Sequence, residues 1–380
     1  MTSLTNAAET GLVEKKAVSR RMASVRVWLF AIAGLVFAMV VVGGATRLTG
    51  SGLSITEWQP ILGVVPPMSE AAWRDAFEKY RQIPEYSQIN PGMTLGGFKA
   101  IYWWEWTHRL LGRLIGVVFF IPFAVFLLRG NIPRALIPRI AALFVLGGAQ
   151  GALGWFMVES GLADRVDVSQ YRLAAHLALA VAIAGFAFWL ALSIGESMPA
   201  ERGRLAGESS LPVKIGAAML ACLVYLQIIA GAFVAGLKAG LASNTWPLMN
   251  GEIIPPGLDA FSPWYVNLFE NPLTAQFAHR ALAYAIAIFA GGFAAAVWNT
   301  TRAQALRLPL LAITAAVFIQ IALGVATIVY GVPLAIALAH QASAIVIFAL
   351  SLWALHRAFA PAALSAESSL VSGARPRMAD

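Results

Sequence analysis

The chain has 380 residues, of which 59% are hydrophobic and only 12% are charged, and its formal net charge is +8. Soluble globular chains are about a quarter charged, so the composition excludes that class and predicts a polytopic membrane protein. The positive charge does not predict a nucleic-acid partner. The basic residues lie in the N-terminal tail and in short loops at 129–139, 202–214 and 302–307, where positive charge is typical of the cytoplasmic side of a membrane protein.

In chain order, a polar and basic tail at 1–26 precedes eight apolar segments, each close to the roughly 20 residues that a helix needs to cross a bilayer. The predicted spans are 27–46, 105–128, 137–158, 171–195, 213–236, 275–298, 309–330 and 334–356. The segment 47–100 after the first span has balanced charge and contains a predicted amphipathic helix at 70–81. An even number of spans predicts that both termini are cytoplasmic.

A polar stretch at 196–212 divides the chain into two halves of four spans each, and we interpret it as a cytoplasmic linker. The predicted fold is an all-α polytopic membrane protein made of two four-helix bundles, at 27–195 and 213–357. The N-terminal bundle includes the outer loop 47–100, and a second cytoplasmic tail is predicted at 358–380.

Internal similarity predicts that the two halves are repeats. Span three reads Gln-Gly-Ala-Leu-Gly at 150–154, and span seven reads Gln-Ile-Ala-Leu-Gly at 320–324. Because four spans bring the chain back to the side on which it started, the halves would be parallel repeats about an axis along the membrane normal.

Four of the five histidines lie at the outer ends of spans in matched pairs, His108 with His176 and His279 with His340. Spans two and four of a bundle run in the same direction, so the paired imidazoles can face each other. An ionisable residue inside a span is functional by default. Zinc would need a third or fourth protein ligand, whereas two facing imidazoles in an apolar bundle suit haem iron. His356 lies at the cytoplasmic end, where we predict an interface residue and no ligand.

Charged residues beside the first histidine of each pair differ between the halves. Arg109 and Arg280 follow their histidines directly; they either pair with haem propionates or extend to the lipid headgroups. Glu105 lies three residues before His108, on the same helix face, and its counterpart is Gln276. A carboxylate in only one site indicates that only one site carries out proton-coupled chemistry; the alternative is an interfacial carboxylate without a role.

Several motifs resemble those of the haem A synthase family, in its proteobacterial and mitochondrial branch, from about Gly43 to His356. They are Gly43-Gly44-Ala45-Thr46-Arg47-Leu48-Thr49-Gly50-Ser51-Gly52-Leu53-Ser54, Glu57-Trp58-Gln59-Pro60, Pro84-Glu85-Tyr86, Glu105-x-x-His108-Arg109-x-x-Gly112-Arg113, Asn244-Thr245-Trp246-Pro247-x-Met249 and Gln276-Phe277-x-His279-Arg280. The resemblance implies oxidation of the C8 methyl of haem O to a formyl group by successive hydroxylations and loss of water. The product would be the haem A of cytochrome oxidase.

The resemblance also implies roles for individual residues. A haem b cofactor would be held through its iron by His279 and His340, and the iron of the substrate haem O would be received by His108 and His176. Glu105 would be the essential acid.

The resemblance implies a location in the cell inner membrane, with haem O and lipid as partners. Haem O synthase, an electron donor or acceptor and a second copy of the chain are further candidates. Some family members carry a cysteine pair in the first outer loop, but the single cysteine here is Cys222, inside a span. We expect it to be a small core side chain, and no intrachain disulfide can form.

Two other protein classes compete with the synthase interpretation. A di-haem b-type electron-transfer protein without oxygenation chemistry is the main alternative, but here each helix carries one histidine at one depth, so no electron path crosses the membrane. Transporters favour broken spans and midplane polar sites, which these spans lack.

Overall fold

The computed structural model describes residues 2–162, 165–196, 209–300 and 304–359, and these residues form α-helices without any β-strand. The helices are α1 Thr2–Leu48, α2 Glu70–Arg81, α3 Pro84–Gln88, α4 Leu95–Leu128, α5 Ile137–Glu159, α6 Gln170–Glu196, α7 Leu211–Gly236, α8 Asn267–Glu270, α9 Pro272–Trp298, α10 Gln304–Val329 and α11 Leu334–Phe359. Eight of them are long and apolar enough to cross a membrane, which confirms the predicted all-α polytopic fold.

The N-terminal region predicted as a tail is helical, because α1 begins at Thr2 and its membrane-spanning part is Arg21–Leu48. The first turns are rich in Ala, Glu and Lys, which favour a helix without needing an apolar face. The predicted linker falls mainly on 197–208 and the predicted C-terminal tail on 360–380, both outside the described residues.

Each half packs its four spanning helices in the same order. In the first, α1 and α5 both pack against α4 and α6; in the second, α7 and α10 both pack against α9 and α11. Large apolar side chains fill the two cores, for example Leu29 and Ile140 in the first and Leu220 and Ile313 in the second. Such packing contacts drive helix association within a bilayer. The parallel-repeat relation between the halves stays a prediction.

The halves meet along α6, α7, α1 and α11. Tyr225 on α7 donates a hydrogen bond to the carbonyl of Ala178 on α6, at 3.0 Å. On the other side of the interface, Gln341 on α11 donates to the carbonyl of Val40 on α1, at 2.8 Å. Since Gln341 follows His340, this bond ties a predicted ligand helix of one half to the first helix of the other.

An aromatic layer covers one end of the N-terminal half. The predicted amphipathic helix is confirmed as α2, which is capped by Ser69 and buries Trp73 and Tyr80. Phe98 and Tyr102 on α4 pack against these two side chains. Helix α4 therefore begins ten residues before the predicted span, because its first turns have a protein partner outside the apolar segment.

One core prediction is wrong. Cys222 is exposed on the surface of α7, whose buried face carries Ala217, Leu220, Ala221 and Val224. An α-helix has 3.6 residues per turn. Cys222 lies between the buried residues Ala221 and Val224 in sequence, and its side chain therefore points away from the bundle. In a nearly uniformly apolar span, composition cannot distinguish that face from the core.

Candidate functional site

Each histidine of the two predicted pairs rests against a glycine of the preceding spanning helix. A Cβ atom on any of these glycines would lie only 2.9–3.1 Å from an atom of the facing imidazole. Such a contact is tighter than packed side chains normally allow, so the ring would have to move. The pairs are His108 with Gly43, His176 with Gly154, His279 with Gly231, and His340 with Gly324.

The second pair has the spacing that two ligands of one metal require. The ring centroids of His279 and His340 are 6.4 Å apart and their planes are inclined by 75°. A metal–imidazole bond is about 2.0 Å long, so two rings that share one metal place their centroids roughly 6 Å apart. The rings are held on α9 and α11, which both pack against α7 and α10, and the glycine seats leave each ring little freedom. The pair therefore fits a site in which both imidazoles would ligate haem iron.

Hydrogen bonding at His340 favours metal binding through Nε2. His340 Nδ1 lies 3.1 Å from the carbonyl oxygen of Gln320, and donation to this carbonyl leaves the Nε2 lone pair free, as in most metal-ligating histidines. The Gln320 amide in turn donates to the His340 carbonyl at 2.9 Å and accepts from Ser343. This network fixes both the tautomer and the ring orientation.

Two further glutamines hold histidines, one in each half. Gln227 Nε2 lies 3.1 Å from His279 Nδ1 and donates to the His279 carbonyl at 3.0 Å. Gln150 makes the same two contacts with His176, at 3.1 and 3.0 Å. In both cases the side-chain amide of the glutamine contacts the imidazole ring and the backbone carbonyl of the same histidine. The amide therefore positions the histidine relative to the helix that carries the glutamine.

These glutamines were missed as site residues by the sequence analysis. Gln150 and Gln320 were noticed only as parts of a repeat, and Gln227 was not noticed at all. The available signal was the spacing Gln-x-x-x-Gly, which occurs at 150–154, 227–231 and 320–324. The spacing places both residues on one helix face, but only the adjacent helix shows that a histidine lies opposite.

The carboxylate predicted to be catalytic is buried and fully engaged. Glu105 is 2% exposed. One carboxylate oxygen accepts from the Ser54 hydroxyl and the Ile55 amide, both at 2.8 Å. The other accepts from the Nε and Nη2 atoms of Arg109, at 3.0 and 2.6 Å. Glu105 is thus held rigidly one turn from His108, and it fastens the segment after α1 onto α4.

The arginines predicted to bind propionates contact backbone carbonyls. Arg109 donates to the carbonyls of Ile55 and Glu57, at 2.6 and 2.8 Å. Arg280 donates to those of Ser243 and Thr245, at 3.1 and 3.0 Å. The Nε of Arg280 is buried without a hydrogen-bond partner among the described residues, so it retains a donor for an anionic group. Propionate binding stays a prediction for both arginines.

Gln276 occupies the position of Glu105 in the second half. It is 2% exposed, and its amide donates to the Ser243 carbonyl at 3.0 Å. The loop after α7 is therefore fastened to α9 much as the segment after α1 is fastened to α4. Gln276 brings no carboxylate, however, and it forms no ion pair with Arg280.

A second buried carboxylate lies outside the spans, on α3. Glu85 is 7% exposed, and its Oε2 atom has no hydrogen-bond partner in the part of the chain that the structure describes. Burial, together with the smaller effect of the nearby charges of Glu105 and Asp167, raises the pKa of this carboxyl to about 8. A group with this pKa is mostly protonated at neutral pH.

The first histidine pair lies in the N-terminal half, and the fifth histidine lies apart from both pairs. His108 and His176 lie on α4 and α6, which both pack against α1 and α5. His356 lies at the other end of α11, where it contacts Trp189 edge-to-face at 5.0 Å, and its Nε2 is 3.4 Å from the Ser193 hydroxyl. It takes no part in either pair.

Similarity to known proteins agrees with the resemblance seen in the motifs. Residues 26–352 match the COX15-CtaA family model, described as cytochrome oxidase assembly protein. The haem A synthase of Parvibaculum lavamentivorans is 51% identical over 334 residues, covering 87% of this chain and 93% of the relative. That of Nitrosospira multiformis is 48% identical over 347 residues, covering 90% and 95%. That of Maricaulis maris is 48% identical over 331 residues, covering 87% and 94%. The chain belongs to the COX15-CtaA family of cytochrome oxidase assembly proteins.

Proposed function

We propose that this membrane protein is an oxidoreductase that converts haem O to haem A, as its relatives are named to do. The observation that carries the proposal is the pair of similar histidine sites, of which only one has a carboxylate beside it. Two equal sites would suit an electron carrier. Only the first site has a carboxylate that can move protons, Glu105. This difference suits the first site for chemistry and the second for a resident cofactor.

The C-terminal half would hold haem b. His279 and His340 would ligate its iron, and the support is their 6.4 Å centroid separation together with the bond from His340 Nδ1 to the Gln320 carbonyl. When bound, this haem supplies one-electron redox chemistry. Arg280, with its free Nε donor, would pair with a propionate.

The N-terminal half would receive haem O as substrate. His108 and His176 would bind its iron, and the glycine seats at Gly43 and Gly154 would set the position of the macrocycle. Glu105 lies about one helical turn from His108, so it would lie near a tetrapyrrole held by that histidine. Its role would be to move protons as the C8 methyl is hydroxylated and the resulting gem-diol loses water.

Ser54 is the natural partner for that proton movement. It donates to Glu105 at 2.8 Å, and a hydroxyl can both donate and accept. The other donors to Glu105 are an arginine and a backbone amide, which do not give up protons. A proton would therefore reach or leave Glu105 by way of Ser54 or the substrate.

The arrangement in the membrane follows from the charge distribution. The protein would lie in the cell inner membrane as two parallel repeats, with 1–26, 196–212 and 358–380 on the cytoplasmic side. Both haem sites would then lie toward the outer leaflet. Haem O synthase and an electron donor or acceptor are candidate partners.

The test is extraction of haem from the purified protein, followed by chromatography. Wild-type protein should yield haem b together with haem O or haem A. Glu105→Gln should accumulate haem O, while Glu70→Gln, which alters a carboxylate exposed on α2, should behave as wild type. If both wild type and Glu105→Gln yielded only haem b, and cellular haem A were unaffected by the mutation, the protein would be a di-haem electron carrier instead.

A further inference from the structure

The glutamine that accompanies three of the four histidines is replaced in the fourth site. The residue four positions before the histidine-seating glycine is glutamine on α5, α7 and α10, but it is Met39 on α1, four residues before Gly43. The four residues occupy the same position relative to their glycines, one turn along the same helix face. His108 is therefore the one site histidine that has no amide opposite it at this position.

Met39 fills the space of the missing amide. Its terminal methyl lies 2.9 Å from the position that a Cβ atom on Gly112 would take, one turn beyond His108 on α4. A thioether sulfur is at best a weak hydrogen-bond acceptor and donates nothing. The rings of His176, His279 and His340 each lie within hydrogen-bond distance of a glutamine, and among the described residues no such bond reaches the His108 ring.

The orientation of the His108 ring differs as well. The atom of this ring nearest to the hypothetical Cβ of Gly43 is Nε2, at 3.0 Å, and Cε1 is 3.8 Å away. In the other three sites the nearest atom is Cε1, at 2.9–3.1 Å. The three rings that contact a glutamine of the neighbouring helix, through its amide or its backbone carbonyl, thus present Cε1 to the glycine, and the His108 ring is rotated relative to them.

We propose that Met39 is a positioning residue that makes the His108 site exchangeable. Without an amide to hold its ring and backbone, His108 can leave the iron of the tetrapyrrole, so this site can release product and accept new substrate. Gln227 and Gln320 hold their histidines in place, so the other site retains its haem. The inference rests on the proposed function, because it requires haem at both pairs.

The test is haem transfer from the full-length protein, loaded with hemin in detergent, to an excess of apomyoglobin. Wild type should release haem in two phases, a fast phase from the His108 pair and a slow phase from the His279 pair. Met39→Gln should slow the fast phase about fivefold, the effect of one added hydrogen bond. Gln227→Met should accelerate the slow phase by a similar factor.

A matched control shows whether the effect depends on position 39 or on any methionine-to-glutamine change. Met219 is exposed on α7, so Met219→Gln should leave both phases unchanged. The electron paramagnetic resonance signal of the His108 haem should also shift in Met39→Gln, because the ring changes its orientation. An unchanged fast phase together with an unchanged signal would overturn the inference.

A second pair of variants distinguishes this failure from failure of the proposed function. His279→Ala should remove the slow phase and His176→Ala the fast phase. If neither did, the histidines would not bind haem and the proposed function would fall together with this inference. If both did while Met39→Gln and Gln227→Met had no effect, only the inference would fall.

Discussion

The two halves of this protein share a scaffold and differ at a few polar positions. Both seat two histidines on glycines, and both fasten a loop to the helix of the first histidine. They differ at two pairs of equivalent positions. Glu105 in the first half corresponds to Gln276 in the second, and Met39 corresponds to Gln227. Under the proposed function, the shared features would serve haem binding, whereas reactivity and exchange would depend on side chains that only one half possesses.

The loops over the two sites also differ in how they are attached to the helix that carries the first histidine. In the first half, the Glu105 carboxylate accepts hydrogen bonds from a hydroxyl, an amide and a guanidinium. In the second, the Gln276 amide makes one bond to a backbone carbonyl. A charged, multiply bonded group is held more strongly than a neutral one. The first site therefore has the stiffer connection between its helix and its loop.

The largest expected effect separates substrate binding from cofactor binding. His176→Ala should lower the rate of haem A formation at least roughly 100-fold, because a misplacement of about 1 Å at a reacting centre already costs that much. The b-type absorption of the purified protein should persist, since His279 and His340 are untouched. His356→Ala serves as the histidine control. Loss of the b-type absorption in His176→Ala would mean that the two sites do not work separately.

The next effect tests the glycine seats. In Gly324→Val, the added side chain meets the ring of His340 at less than normal contact distance, and overpacking costs about 1–3 kcal/mol. Haem retention should fall by roughly 5- to 150-fold, measured as the haem-to-protein ratio after dilution. Gly292→Val, at a glycine on α9 with open space around it, should retain haem normally. Equal losses in the two variants would indicate a general effect on helix packing.

A smaller effect distinguishes the two loop attachments. Ser54→Ala removes one donor from the buried Glu105 carboxylate, which should cost about 1–3 kcal/mol and lower haem A formation several-fold. Ser243→Ala is the matched control, because in the second half Gln276 donates to the backbone carbonyl of this serine, which the substitution keeps, while the Ser243 hydroxyl makes only a long hydrogen bond with the Thr245 hydroxyl, at 3.3 Å. Thermal unfolding and haem A yield should both change in the first variant and neither in the second.

The last expected effect is a pH dependence of stability that arises from a carboxyl of the first half. The carboxyl of Glu85 has a pKa of about 8 in the folded protein against an ordinary value of 4.5. Between these values the folded state holds a proton that the unfolded state has lost, so the stability contribution of Glu85 falls as pH rises to about 8 and then levels off.

Glu85→Gln removes this contribution. Thermal unfolding in detergent should show that the variant gains stability relative to wild type as pH rises from about 5 to about 8. Glu70→Gln should follow the wild-type curve. A constant difference between Glu85→Gln and wild type across this range would show that Glu85 does not titrate as described.

Much of the fold could be predicted because the signals are long or rare. Apolar runs identified eight spans, and the helical spacing of Trp73 and Tyr80 identified α2 with its observed bounds. The four histidines stood out because the chain has only five. The start of α4 was missed because its first turns depend on a tertiary partner, and the exposure of Cys222 was missed because an apolar span shows no polar face.

The polar details of the site could not be predicted because they depend on which helices become neighbours. Arg109 and Arg280 bind loop carbonyls that lie far from them in sequence. Gln227 and Met39 each lie four residues before a glycine, but this spacing does not indicate a role until the histidine opposite each position is known. Sequence spacing identified residues that share a face, but the structure was needed to identify what that face meets.

The most direct test of the central claim is the haem content of His279→Ala and His108→Ala, purified from cells that make haem b but not haem O. We expect one haem b per chain in wild type and in His108→Ala, and little or none in His279→Ala. Retention of haem b in His279→Ala, or its loss in His108→Ala, would contradict the division of the molecule into a cofactor half and a substrate half.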